Sequence, residues 1–289
     1  MKKTHSCVFF FLGDPMFHNR PPEVGRSVTN SSVANNWGTD ITSGTANAYG
    51  SWIQIHAGFP YDVYQVYIAM GKNYVAAANR NSYIDIGYGP NNTTVQIVIP
   101  KLCGSNSGGI DMGYRYYVLP MYLPKNTPIW ARHQCTTAST VINVNITALC
   151  GEYIPYMPKI KYYNPLGTLG TTLGVAIVPG NNTEGAWTEM IASTPRNYVG
   201  MLITGLFAVD TTMTAVSYTG DVGIGPSGSE QVIIENGFVT THGTNETACG
   251  IAIAYYVDVK ANSRIVARVS CSGTPDSSLS TIVYGMETM

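Results

Sequence analysis

The sequence predicts an all-β protein made of two tandem antiparallel β-sandwich or jelly-roll domains related by internal duplication. Three observations carry that expectation: a composition poor in charge, short apolar runs with a period of two, and a repeat that spans half the chain. Of 289 residues, 45% are hydrophobic and only 11% are charged, against about 25% charged in an ordinary globular domain. The polar surface must therefore come from Asn, Thr, Ser, Gly and Tyr, and the chain holds 20 Tyr, 30 Gly and 16 Pro. A net charge of −1 excludes a basic nucleic-acid-binding module and an acidic solvating tail. No uncharged apolar run approaches the ~20 residues of a spanning helix, so no membrane span is expected.

The apolar runs alternate as half-buried strands do. Trp52-Ile53-Gln54-Ile55-His56-Ala57, Val63-Tyr64-Gln65-Val66-Tyr67-Ile68, Val95-Gln96-Ile97-Val98-Ile99 and Val141-Ile142-Asn143-Val144-Asn145-Ile146 are examples. Gly, Pro and Asn stand between them, and no long stretch follows the 3.6-residue period of a helix. Strands at this spacing predict a sandwich or jelly roll.

The repeat organises the chain. Gly50, Trp52, Ala57 and Pro60 recur as Gly185, Trp187, Ala192 and Pro195, each 135 residues on. Asp85-Ile86-Gly87-Tyr88-Gly89-Pro90 recurs as Asp221-Val222-Gly223-Ile224-Gly225-Pro226, 136 residues on, and Ile97-Val98-Ile99 matches Ile233-Ile234-Glu235 in that register. Asn126, Ile129, Ala131, Arg132 and Cys135 return as Asn262, Ile265, Ala267, Arg268 and Cys271. A repeat of this length is a duplicated domain, not a solenoid, whose units are about 20–50 residues. The expected boundaries are an N-terminal arm over 1–32, a first sandwich over 33–150, a linker over 151–164 and a second sandwich over 165–289. Pro155 and Pro158 suit an extended linker.

The N-terminus places Lys2 and Lys3 before Cys7-Val8-Phe9-Phe10-Phe11-Leu12, the order of a secretory signal. Asp14-Pro15 ends the run, though, and no small-x-small cleavage site follows. An arm is the better reading, with Phe9, Phe10 and Phe11 as interface candidates that each gain about 2 kcal/mol on burial. The six cysteines, at 7, 103, 135, 150, 249 and 271, include no C-x-x-C pair. They read as free buried thiols, with no zinc ribbon and no disulfide framework.

Candidate chemistry is sparse. Gly223-Ile224-Gly225-Pro226-Ser227-Gly228 matches the dinucleotide fingerprint in letters only. Pro226 sits inside it, and a strand-like run follows where a helix must open. The five histidines form no ligand pair, and no nucleophile elbow is present. The readings are therefore no catalytic residue, no cofactor and no metal. Asp85 with Arg132, and Asp221 with Arg268, are retained in both copies of a chain with few charges. They read as structural Asp–Arg pairs, since a glycosidase needs two carboxylates in one site. Trp52 and Trp187 read as core residues. Tyr114, Tyr116, Tyr117, Tyr122 and the group Tyr153, Tyr156, Tyr162 and Tyr163 offer flat amphipathic contact area.

The opening Trp52 to Pro60, the segment Asp85 to Pro90 and the close Pro120 to Arg132, with their second copies, resemble a β-sandwich module of tailed-phage virion proteins. The resemblance covers about two-thirds of the chain and leaves residues 1–32 outside it. It implies a non-enzymatic structural protein, either a capsid decoration or cement protein or an exterior tail component. Its partners would be itself, as a trimer or other symmetric homo-oligomer, and other virion proteins. It would reside in the virion, assembled in the host cytoplasm. The alternative is a phage receptor-binding or lectin-like adhesin that contacts host glycans.

Overall fold

The computed structural model describes residues 23–26, 38–72, 81–106, 115–150, 158–167, 174–207, 216–242, 250–274 and 279–289. These form strands throughout, and no helix occurs among them. The first copy contains β1 (Glu23–Arg26), β2 (Thr39–Thr42), β3 (Ile53–His56), β4 (Val63–Lys72) and β5 (Asn81–Tyr88). It continues through β6 (Gln96–Asn106), β7 (Arg115–Leu123), β8 (Ile129–Cys135) and β9 (Val141–Cys150). One layer has β9 between β4 and the strands β1 and β2, with β7 beyond β4; the other runs β3-β8-β5-β6. From β2 to β9 the chain crosses between layers at every step except the β5–β6 hairpin, which is jelly-roll connectivity. Period-two burial faces each layer inward: along β7, Tyr117, Leu119, Met121 and Leu123 are buried.

The second copy repeats the plan. Its strands are β10 (Ile160–Leu166), β11 (Val175–Ile177), β12 (Gly180–Asn181), β13 (Thr188–Ile191), β14 (Tyr198–Phe207) and β15 (Val216–Ile224). They continue with β16 (Gln231–His242), β17 (Gly250–Ile253), β18 (Tyr255–Val259), β19 (Ile265–Cys271) and β20 (Leu279–Thr288). The layers are β10-β20-β14-β18 and β13-β19-β15-β16. The matched asparagines have a backbone reason. Asn126 and Asn262 sit at φ 54 and 64 and donate their amides to Phe59 O and Thr194 O at 2.7 and 2.8 Å. Asn tolerates that left-handed conformation better than most residues.

The two jelly rolls are not separate domains on a string. β7 pairs in parallel with β17, Tyr116 opposite Ile251 and Val118 opposite Ile253. β17 in turn pairs with β16, so one 11-stranded sheet crosses both copies. The second copy's counterpart of β7 is β17 and β18 together. It changes layers at Ala254, whose amide points at Val118 O across 3.3 Å. Within each copy the main pairings are antiparallel, and the joint is parallel: β7 and β17 are the same strand of the repeat and run in the same direction. A second parallel pair, β12 with β19, lies at the far edge.

The core is likewise shared. Tyr117, Tyr163 and Tyr284 are fully buried in one cluster that includes residues of both copies. Their hydroxyls donate to Cys103 O, Pro120 O and Lys101 O at 2.7, 2.7 and 2.6 Å. The last two of these bonds cross between copies, and each satisfies a phenol that would be costly to bury unpaired. Cys103, Cys135 and Cys271 are buried free thiols.

The segment expected as linker carries β10, from Ile160, along the edge of the second copy's layer. Pro165 fits there because an edge strand need not donate on both sides. In the arm, residues 23–26 form β1 against β9. Phe9, Phe10 and Phe11 lie outside the described residues. The repeat register also needs one correction. Ile99 stands opposite Ile86, and Ile234 opposite Val222, so Ile97-Val98-Ile99 corresponds to Val232-Ile233-Ile234. The offset is 135 there and returns to 136 at Leu102 and Phe238, because the second copy has one residue more in the intervening bulge.

Candidate functional site

That bulge is where the duplicated charges meet. Pro100 and Lys101 lie opposite Asp85 alone, and Glu235, Asn236 and Gly237 lie opposite Asp221 alone. Lys101 and Asn236 take φ 53 and 52, and their amides donate to Asp85 Oδ1 and Asp221 Oδ1, both at 2.8 Å. The other carboxylate oxygen holds an arginine on the neighbouring strand. Arg132 Nη2 reaches Asp85 Oδ2 at 2.6 Å, and Arg268 Nη2 reaches Asp221 Oδ2 at 2.9 Å. The carboxylates are 2% and 1% exposed. Each buried Asp therefore staples a bulge on one side and fixes an arginine on the other. Each staple joins strand to strand, Asp85 on β5 to Arg132 on β8 and Asp221 on β15 to Arg268 on β19.

The tryptophans are not core residues. Trp52 and Trp187 are half-buried and lie over the Arg132 and Arg268 guanidiniums at 4.6 and 4.4 Å from ring centroid to guanidinium carbon. They stand immediately before β3 and β13, partly exposed, where stacking on a fixed cation is favourable. Gly223 leaves room for the Trp187 ring, since a Cβ there would come within 2.9 Å of it.

The copies differ at the position before the shared glycine. Tyr49 covers Arg132 at 4.2 Å and donates its hydroxyl to Asp85 Oδ1 at 2.8 Å. Burial and then the Asp85 charge push its pKa far up. Glu184 takes that position in the second copy, 3.4 Å from Arg268 Nε. Burial and then the nearby Asp221 carboxylate raise the Glu184 pKa. Nothing in the sequence repeat singled out Tyr49, Lys101 or Glu184.

A second feature lies on the outer face of the shared sheet. Tyr67, Tyr116, Val118, Ile251 and Ile253 form a stripe across β4, β7 and β17. Tyr67 is 42% exposed, Ile251 48% and Ile253 41%, and the rings of Tyr67 and Tyr116 stack at 5.6 Å. None of these side chains is charged. Nearby, Lys159 Nζ lies 4.5 Å from the Tyr122 ring, whose hydroxyl donates to Asp62 at 3.2 Å. Of the tyrosines singled out by sequence, Tyr116, Tyr122 and Tyr162 are half-buried. Tyr117 and Tyr163 belong to the core. Tyr114, Tyr153 and Tyr156 lie outside the described residues.

The remaining candidates are structural. The glycine-rich segment is the turn between β15 and β16, with Ser229 N–H donating to Pro226 O at 3.1 Å. His56 stacks on Phe59 at 4.0 Å. His133 is fully buried, with Nε2 2.9 Å from Ser82 Oγ and Nδ1 near the Ile41 and Thr140 carbonyls. Burial lowers its pKa to about 4. Among the described residues no group of His, Cys, Asp and Glu could hold a metal ion, and no helix is long and apolar enough to cross a membrane.

No family model matches the chain, and no curated protein matches it. Among solved structures it is similar to the tandem CBM22-1–CBM22-2 domain of Paenibacillus barcinonensis Xyn10C. The TM-score is 0.27 and the identity 9%, over 93% of this chain and 92% of that one. It is also similar to PNGF-II, with TM-score 0.33 and 7% identity over 87% of this chain and 65% of that one.

Proposed function

We propose that this chain is a non-enzymatic structural protein of a tailed-phage virion, a capsid decoration or exterior tail component that works through contacts between proteins. The observation that carries the reading is the uncharged stripe from Tyr67 to Ile253, laid across the joint of two fused jelly rolls. An apolar face of this kind on a rigid body suits a subunit contact better than a solvated surface. The duplicated aspartates are consumed internally by bulge amides and arginines. Immunogold labelling of virions whose genome encodes the chain tests the reading. Label on capsid or tail is expected; virions that carry none would overturn it.

The stacked Tyr67–Tyr116 pair favours a second reading, an adhesin that contacts host glycans, since exposed rings also pack on sugar faces. Saturable binding on a glycan array, lost in Tyr67→Ala, would select it.

A further inference from the structure

The two copies present homologous outer faces of opposite charge. In the first copy the layer β3-β8-β5-β6 carries Arg132 and Lys101 against Asp85, net +1 among the described residues. The matching face of the second copy carries Asp221, Glu184, Glu189, Glu230 and Glu235 against Arg264 and Arg268, net −3. The difference arose by substitution at equivalent places. Glu184 stands for Tyr49, Glu189 for Gln54, Glu230 for Val95 and Glu235 for Pro100; Asn236 replaces Lys101, and Arg264 in place of Pro128 offsets one of these changes.

The pairing left over within each face is also complementary. Arg132 spends Nε and Nη2 on Asp85 Oδ2, and its Nη1 makes no hydrogen bond among the described residues, while the side chain is 27% exposed. The widened bulge of β16 turns Glu235 out to solvent, and that carboxylate has no ion-pair partner among the described residues. Each face also has an apolar centre. Trp52 has Ile53 beside it, 36% exposed, and Trp187 lies over Gly223, opposite which stands Val232, 43% exposed.

We propose that copies of this chain associate head to tail, the Trp52–Arg132 face of one against the Glu-rich Trp187 face of the next. This rests on the structural reading above and names a second copy as the partner. Because the two faces differ, the contact is heterologous. It propagates into a ring or a filament and does not stop at a two-fold dimer. Opposite potentials steer the encounter and fix the register.

Sedimentation of the full chain at low and high salt tests the proposal. Association is expected at low salt and should weaken as salt screens the exposed charges. Glu235→Lys should weaken it at least about tenfold, because like charges then face each other. Adding Gln54→Glu on the opposite face should restore part of the loss; both positions are exposed, so the fold is preserved. A chain monomeric at both salts overturns the proposal, and so does association indifferent to salt and to Glu235→Lys. Salt-indifferent association lost in Ile251→Asp would move the contact to the stripe. That result removes the head-to-tail model yet leaves the virion reading to stand or fall on the labelling.

Discussion

Tyr284 donates its hydroxyl to the carbonyl of Lys101 at 2.6 Å, while the amide of the same Lys101 is held by Asp85. One left-handed residue in the first jelly roll thus has its two polar backbone groups satisfied from different copies. The bulge is both a local staple of the first copy and a point of attachment for the second. Tyr284→Phe should destabilise the whole protein by about 1–3 kcal/mol, the cost of leaving a buried acceptor unpaired. Urea unfolding of the variant beside wild type measures it, and an unchanged midpoint would show the bond to be idle.

Asp85→Ala and Asp221→Ala each release an arginine and a bulge amide together. Breaking a buried pair costs about 3–5 kcal/mol, and the lower end applies here because Arg132 and Arg268 are a quarter exposed. Since the copies share a sheet and a core, either substitution should lower one common transition. A loss confined to half of the unfolding signal would contradict the shared core.

Glu184 offers the reverse experiment. Replacing it with the first copy's tyrosine should restore an aromatic cover over Arg268 and remove a carboxylate crowded by Asp221. Glu184→Tyr is expected to stabilise by about 0.5–1 kcal/mol, the range of an exposed cation–π contact. A raised thermal midpoint is the readout; a lowered one would mean that Glu184 is needed against Arg268.

His133 gives the protein an acid sensitivity. Its folded pKa lies near 4, below the ordinary value of about 6.5. On acidification the unfolded chain therefore takes up the proton before the folded one does. The contribution is complete above pH ~6.5 and is lost progressively toward pH ~4, up to about 3 kcal/mol. His133→Gln should flatten that part of the stability–pH curve. A slope equal to wild type's would refute the assignment.

Much of this was legible in the sequence. The duplication, the period-two strands and the pairing of Asp85 with Arg132 and Asp221 with Arg268 all follow from residue types at matched positions. The joint was hidden, because β7, β17 and β18 share one alternating pattern and nothing marks Ala254 as the place where a strand changes sheets. Lys101 was hidden too, since a lysine gives no signal for a left-handed backbone where Asn126 and Asn262 do. Trp52 and Trp187 misled by their apolar neighbours. Alternation fixes that they face opposite to Ile55 and Met190, but not that a buried aspartate has placed a cation beneath them. The extra bulge residue in β16 shifted the register of one strand, which identity alone aligned a residue late.

The fusion of the copies into one body is the claim on which the rest depends, and scanning calorimetry of the full chain tests it most directly. One transition, with calorimetric and van't Hoff enthalpies equal, is predicted. Two separable transitions, each the size of one jelly roll, would contradict it.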